Sequence, residues 1–329
     1  MNPNKLSARG ARVALIAGAL LAGLVTAPAQ AGYATRPITL IVPFPPGGTT
    51  DVLPRLISQE VSARLGQPLI VSNRPGAGSL LGTRNTISAE PDGHTILLQT
   101  TAVVTGQAMK KQPDFDIFRD LTPVTLAAAG VFGAFATKNL PVRTIGELIA
   151  YAKANPGKLN YGSGGIGAAN HLLTELFASN AGIAMTHVPY GGGAPAMAAL
   201  ISGEVHLLFT DAWFGKPQAD QGKIKLLAIT ATGPNPAYPG VATVATSGGP
   251  NLEAKLWFGF LAPARTAEPI IRELNAALVA GLQQPAVRDR MQAQGLLIEA
   301  TTPEGFRAFL QQEVERWNSA IDKARITRE

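Results

Sequence analysis

The 329-residue chain has no cysteine, so disulfide staples, thiolate nucleophiles and cysteine-ligated zinc are excluded. Histidine is scarce too: four are scattered along the sequence, none in an H-E-x-x-H arrangement. Lysine and arginine nowhere gather into a stripe interleaved with aromatics, as a nucleic-acid groove requires. No G-x-S-x-G elbow is present. One uninterrupted apolar stretch stands out, Val13 to Thr26, and it is shorter than the ~18 residues of a spanning helix. No metal, no cofactor and no nucleic-acid partner are expected.

That stretch follows Lys5, Arg9 and Arg12 and runs to Ala29-Gln30-Ala31, a small-x-small cleavage pattern. Residues 1–31 are therefore expected to be a secretory signal peptide cleaved after Ala31, leaving residues 32–329 as an exported, soluble chain. The formal net charge is +6, and three of those positive charges lie in the leader, so the mature chain carries +3. The high pI therefore argues little for nucleic acid.

Short strand-like runs alternate with longer helical ones: Ile38–Val42, Val52–Leu65, Leu69–Val71, Leu80–Ala89 and Thr95–Gln99. This pattern predicts an α/β fold with a mostly parallel sheet flanked by helices. Leu53, Ile57, Val61 and Leu65 repeat every four residues, and Gly66 is a natural stop. With Asp51 as N-cap, Pro54 falls at the third helical position, where a missing N–H costs little. A second set comprises Val131–Ala136, Thr144–Ala154, Leu159–Tyr161, Ala168–Ala181, Met185–Val188, Ala194–Ile201, Val205–Phe209 and Leu226–Thr230. A Pro/Gly-rich stretch, Gly233–Pro250, reads as a linker. The strand Trp257–Leu261 follows, with helices around Glu268–Leu282, Ala286–Gln294 and Pro303–Lys323. In the last helix Phe306, Leu310, Val314, Trp317 and Ile321 form an apolar face that must dock on something. A chain of this length is expected to form two domains.

Two glycine-rich turns, each between a strand-like and a helix-like run, are the strongest functional signal. The first is Pro43-Phe44-Pro45-Pro46-Gly47-Gly48-Thr49-Thr50-Asp51; the second is Gly162-Ser163-Gly164-Gly165-Ile166-Gly167. A strand–turn–helix aims unpaired backbone N–H groups and the positive end of a helix dipole at one spot. Two of them in separate halves suggest jaws that close on an anion. Gly162, Gly164 and Gly167 also spell G-x-G-x-x-G, but the next strand, Met185–Tyr190, offers no acid for a ribose hydroxyl, which argues against a dinucleotide.

The order and spacing of several stretches resemble the periplasmic solute-binding proteins of tripartite tricarboxylate transporters, often called Bug receptors. They include Pro43–Asp51, Asn73–Gly78, Pro91–Thr95, Glu147–Leu159, Tyr161–Leu172, Val188–Tyr190 and Trp257–Ala264. The resemblance implies a two-domain, type II-like "Venus flytrap" with a cleft between the domains. It implies a discontinuous first domain, residues 32–130 and 246–329, and a second of residues 131–245. It also implies a periplasmic receptor that captures a small carboxylate, an organic acid or an amino acid, and delivers it to the membrane permease subunits of such a transporter, or to a sensor protein. A monomer is the expectation.

On this basis Phe44, Pro45, Gly47, Gly48 and Thr49 form one jaw, and Ser163, Gly164, Gly165 and Ile166 the other. Asp51 is a helix cap or a ligand contact, and suits an ammonium or amide group in the latter role. Asn170 and His171 lie in the following helix, where capping or interdomain packing competes with ligand contact for His171. Tyr190 precedes a third glycine turn, Gly191–Gly193, in which Gly191 stands where the family usually has lysine. Thr210 stands where an acid is usual, with Asp211 next. Thr100 and Thr101 are candidate cleft hydroxyls; Trp213 is the candidate cleft aromatic, while Trp257 and Trp317 belong to the core and His94 to an exposed turn. The competing reading is an exported α/β hydrolase-like enzyme in which Ser163 meets His171 and Asp211 orients the imidazole.

Overall fold

The β-branched run Ile38–Val42 forms the first strand, β1, and the four-residue apolar repeat behind it forms the first helix, α1 (Thr49–Leu65). This computed structural model describes residues 32–324 and 326–328. The signal-peptide expectation falls on residues 1–31 and lies outside the described residues. Among the described residues no helix is long and apolar enough to cross a membrane.

Leu53, Ile57, Val61 and Leu65 are all buried against the sheet and a C-terminal helix, as their spacing predicts. Gly66 ends α1 in the left-handed conformation. The helix begins earlier than the sequence suggests. Gly48, not Asp51, is the N-cap, so Pro54 sits in the helix interior and removes the ladder bond to the Thr50 carbonyl.

Strands β1, β2 (Leu69–Asn73) and β3 (Thr95–Thr100) are parallel, with β1 in the middle. Between them lie a single 3-10 turn, Ala77–Ser79, and α2 (Leu80–Ile87). After β3 the chain enters α3 (Thr101–Ala108), whose cap is Thr100, and a short α4 (Ile117–Asp120). It then runs into β4 (Leu121–Thr137), a 17-residue strand. Only its second part was legible. In Leu121–Ala129, Pro123 and the three terminal alanines mask the strand signal of Thr122, Val124 and Thr125, and pairing with β9 brings the segment into the sheet.

The second half alternates α5 (Ile145–Ala154), β5 (Asn160–Ser163), α6 (Ala169–Ala181), β6 (Thr186–Pro189), α7 (Gly193–Ser202), β7 (Leu207–Asp211), α8 (Ala212–Asp220) and β8 (Ile224–Ile229). Strands β5, β6 and β7 run parallel. The chain returns through β9 (Lys255–Pro263), then α9 (Glu268–Leu282), α10 (Pro285–Ala293), β10 (Leu297–Ile298) and α11 (Pro303–Ala324). The strand order is β2-β1-β3-β9-β4-β7-β5-β6, with β8 and β10 also on β4. Strand β4 pairs with β9 over Leu121–Val131 and with β7 and β8 over Phe132–Thr137, so one strand serves both sheets.

Residues 233–250 are not a free linker. Tyr238 and Val244 are buried, Ile229 bridges to Thr243, and Ser247 accepts the Ile145 and Gly146 amides at the start of α5. The last helix docks its apolar face where β9 crosses: Trp257 meets Phe306 and Phe309 edge-on, and the buried Glu313 accepts both the Trp257 and Trp317 indole N–H groups at 3.2 and 3.3 Å. Both indoles are core, as expected. His94 is not exposed; it is buried, and its Nε2 accepts the Thr35 amide at 3.2 Å.

Candidate functional site

The carboxyl ends of β1, β3, β5, β6 and β7 all open onto one cleft, which is where parallel α/β sheets place ligands. Its volume is about 640 Å³. Walls come from both halves: the turn after β1 and the loop Pro75–Ser79 on one side, the turns after β5 and β6 and the end of β7 on the other. Phe132 on β4 and Leu256 and Phe258 on β9 also line it.

The first turn is held from behind. Asp51 accepts the Gly47 amide at 3.2 Å, Asn73 Nδ2 at 3.1 Å and Arg55 Nη2 at 2.8 Å, and Asn73 Nδ2 also reaches the Phe44 carbonyl at 3.1 Å. The Arg55 guanidinium, with help from Asn73 and the Gly47 amide, holds the Asp51 carboxyl below its ordinary range despite burial. Asp51 is buried and does not line the cleft; it fastens the loop. Gly47 needs its φ of +94° to make the turn. Among the described residues the Gly48 and Thr50 N–H groups have no partner within the chain, and both residues line the cleft, as do Phe44, Pro45 and Gly47. The Thr49 side chain lies outside the described residues.

In the second turn several amides are already engaged. Asn170 Oδ1 accepts the Gly164 amide at 3.1 Å, Ser163 Oγ the Gly165 amide at 3.1 Å, and His171 Nδ1 the Gly167 amide at 3.3 Å. The Ile166 and Ala169 N–H groups have no partner among the described residues. Gly164, Gly165, Ile166 and Asn170 line the cleft; Ser163 and His171 are buried behind it. Ser163 Oγ lies 2.6 Å from Nε2 of His187, not of His171. His187 stacks on His171, at 4.0 Å, and on Tyr161, at 4.9 Å, which are themselves 6.4 Å apart, and Tyr161 donates its hydroxyl to Glu175. Burial, and then the neighbouring His171, push the His187 imidazole down to about 4, so it is neutral. This stack supports the turn from beneath. Among the described residues no hydrogen bond joins Ser163 to His171, as hydrolysis would need: Ser163 Oγ meets His187, and His171 Nδ1 accepts the Gly167 amide.

Tyr190 lines the cleft and donates its hydroxyl to Glu204 at 2.7 Å; burial and then that carboxylate push the phenol up to about 12. Asp211 and Thr210 line it at the end of β7. Of the two threonines after β3, Thr100 lines the cleft, whereas the Thr101 hydroxyl bridges to β9, donating to the Lys255 carbonyl at 3.0 Å and accepting the Trp257 amide at 3.3 Å. Phe214, not Trp213, is the aromatic that α8 presents to the cleft. Sequence reasoning missed Pro75–Ser79 as a wall. Its signal was the glycine density of Gly76-Ala77-Gly78, where four successive residues, Gly76 to Ser79, have positive φ. The buried Gln99 amide secures that loop by donating to Ser79 Oγ at 3.1 Å and Thr83 Oγ1 at 2.7 Å.

The halves touch on both flanks of the cleft. A Cβ on Gly192 would lie 3.4 Å from Pro45 Cγ, and one on Gly78 would lie 3.1 Å from the Ile166 carbonyl oxygen. Thr105 Oγ1 also donates to the Gly167 carbonyl at 3.3 Å. The two sides of the cleft thus approach each other at its flanks, at Pro45 and Gly192 and at Thr105 and Gly167.

The sequence profile of the tripartite tricarboxylate transporter family receptors matches residues 53–326. The protein BugT of Bordetella pertussis is 34% identical over 300 residues, 90% of this chain and 92% of that protein. An R. palustris protein solved with adipate superposes with a TM-score of 0.84 at 33% identity, covering 89% of this chain and 98% of the other. MatC from Rhodopseudomonas palustris with bound malate gives a TM-score of 0.83 at 31% identity, covering 87% and 99%. The architecture is that of periplasmic binding proteins.

Proposed function

This chain belongs to the tripartite tricarboxylate transporter family of receptors, which are solute-binding proteins and not enzymes, and on that premise we propose that it closes in the periplasm on a small carboxylate and delivers it to a tripartite permease. The observation that carries this reading is the pair of glycine-rich turns facing one cleft, each at a helix N-terminus with amides left unpartnered. Gly48 and Thr50 offer N–H groups from one side; Ile166, Ala169 and the Asn170 side-chain amide offer them from the other. Amides and helix dipoles stabilise a desolvated carboxylate without a counter-charge. Adipate and malate in the two solved relatives are both carboxylates, which supports the same chemistry here.

Residues 32–130 and 246–329 form one domain and 131–245 the other in this reading, with Ser247 extending the second a few residues further along the chain. Strands β4 and β9 are the two crossings, and bending there opens the cleft. Asp51 and Ser163 act behind the turns, Asp51 on the first and Ser163 with His187 and His171 on the second, keeping the amides aimed at the ligand.

The test is a thermal-shift panel of mono-, di- and tricarboxylates and amino acids against their esters or amides. A ligand at 100 times its Kd stabilises by about 2.7 kcal/mol, which is readily detected. The reading expects at least one acid to shift the transition while its ester does not; no shift with any acid, in protein free of retained ligand, would refute it.

A further inference from the structure

Two hydroxyl groups in the cleft lining have oxygens that already accept a bond and protons that have nowhere to go. The Thr100 backbone N–H can only donate, and it donates to Gln99 Oε1 at 3.0 Å. That contact fixes which way the buried Gln99 amide points, so its Nε2 faces Ser79 Oγ at 3.1 Å and Thr83 Oγ1 at 2.7 Å. Thr83 in turn donates its own proton to the Ser79 carbonyl at 2.9 Å. Ser79 Oγ therefore accepts from Gln99, and its proton meets no acceptor among the described residues. Thr100 stands alike: its Oγ1 accepts the Ala102 amide at 3.2 Å, and its proton too has no acceptor among the described residues.

Both residues line the cleft and are buried, at 5% and 6% exposure. The Tyr190 hydroxyl, also in the lining, already donates to Glu204 at 2.7 Å. Among the described residues no donor fixes the direction of the Thr50 and Thr210 hydroxyls. Ser79 has φ +85°, in the left-handed region where glycine is unstrained and serine is not. A serine at such a position points to a use for its hydroxyl.

Resting on the carboxylate-capture reading, we propose that Ser79 and Thr100 form a second subsite, which donates two hydrogen bonds to an acceptor oxygen on the body of the captured acid. The solute is then a carboxylate that also carries a carbonyl, ester or further carboxyl oxygen. A plain alkyl chain leaves both protons unpaired, and an ammonium group brings further donors to groups that already lack acceptors.

Isothermal titration of the purified protein uses two matched series, with methyl hexanoate as the ester control. One is butanoate, 4-aminobutanoate, monomethyl succinate and succinate; the other is hexanoate, 6-aminohexanoate, monomethyl adipate and adipate. In at least one series the two acceptor-bearing acids are expected to bind at least about tenfold more tightly than the alkanoate and the amino acid. Ser79→Gly, which removes the hydroxyl and relieves the backbone, is expected to shrink that margin at least about threefold while the alkanoate Kd stays within about twofold. Thr100→Val should do the same, whereas Thr100→Ser, which keeps both the helix cap and the donor, should preserve the margin. If Thr100→Val does not fold, Ser79→Gly decides. Equal loss of affinity for every acid in Ser79→Gly would make Ser79 a brace for its loop and overturn the inference. So would alkanoates or amino acids that bind the native protein as tightly as the acceptor-bearing acids, with carboxylate capture left intact. If methyl hexanoate binds like hexanoate, or no acid binds, carboxylate capture itself fails and the inference with it.

Discussion

Pro45 and Gly192 meet across the mouth of the cleft, one from each half, with the Pro45 ring 3.4 Å from where a Gly192 Cβ would stand. Gly192 has φ +147°, so any side chain there is strained, and its Cβ would come into contact with the Pro45 ring. Gly192→Ala is expected to bias the protein toward the open state. The ligand Kd should rise about tenfold, and small-angle scattering should show a larger radius with ligand absent. An unchanged Kd would mean that closure does not depend on this contact.

Asp51 joins the Gly47 amide, Asn73 and Arg55 into one brace. Asp51→Ala removes all four hydrogen bonds to these three partners and should cost about 1–2 kcal/mol of stability and at least about tenfold in affinity, read by urea unfolding and titration. Because the carboxyl is held below its ordinary value of 3.8, its contribution to stability is present above that value and lost as the pH falls below it.

His187 is depressed from 6.5 to about 4 by burial and by His171. Between those values the unfolded chain takes up a proton that the native protein refuses, so stability should rise with pH across this window and fall as the pH drops toward 4. In His187→Gln the slope of unfolding free energy against pH should be shallower between pH 4 and 6.5. An identical slope would place the titration elsewhere.

Glu313 is buried and accepts hydrogen bonds from two indoles, with Arg316 beside it at 3.1 Å. Burial raises its carboxyl above the ordinary range. Glu313→Leu strands both indole N–H groups and should destabilise by about 2–4 kcal/mol, whereas Glu313→Gln keeps an acceptor and should cost under about 1.5 kcal/mol. Equal losses in the two variants would show that packing, and not these bonds, carries the effect.

Much of the fold was legible because periodicity reports burial directly: the Leu53–Leu65 stripe packs as spaced, and so do Phe306, Leu310, Trp317 and Ile321, while Val314 is only half-buried and Glu313 is buried beside it. What stayed hidden depends on neighbours distant in sequence. Ser163 meets His187 because β5 and β6 pair in parallel with Tyr161 opposite His187, a register that no motif announces. The choice of Phe214 over Trp213 turns on the rotation of α8 about its axis, one residue of phase. Asp51 looked like a cap because it stands near a helix start; its partner Asn73 lies on the neighbouring strand, 22 residues away. The glycine turns were visible, but which amides remain unpartnered is decided by Asn170, Ser163 and His171 folding back on the second turn.

Strand β4 pairs with β9 along its first part and with β7 and β8 along its second, so the two sheets share one length of backbone. A break between Val131 and Phe132 would strip a strand from each sheet at once. Neither half can therefore be excised and grafted onto another protein as a self-sufficient cassette. The turns at Gly47–Thr50 and Gly164–Ala169 lie outside this shared strand, so a change in either leaves both sheets paired.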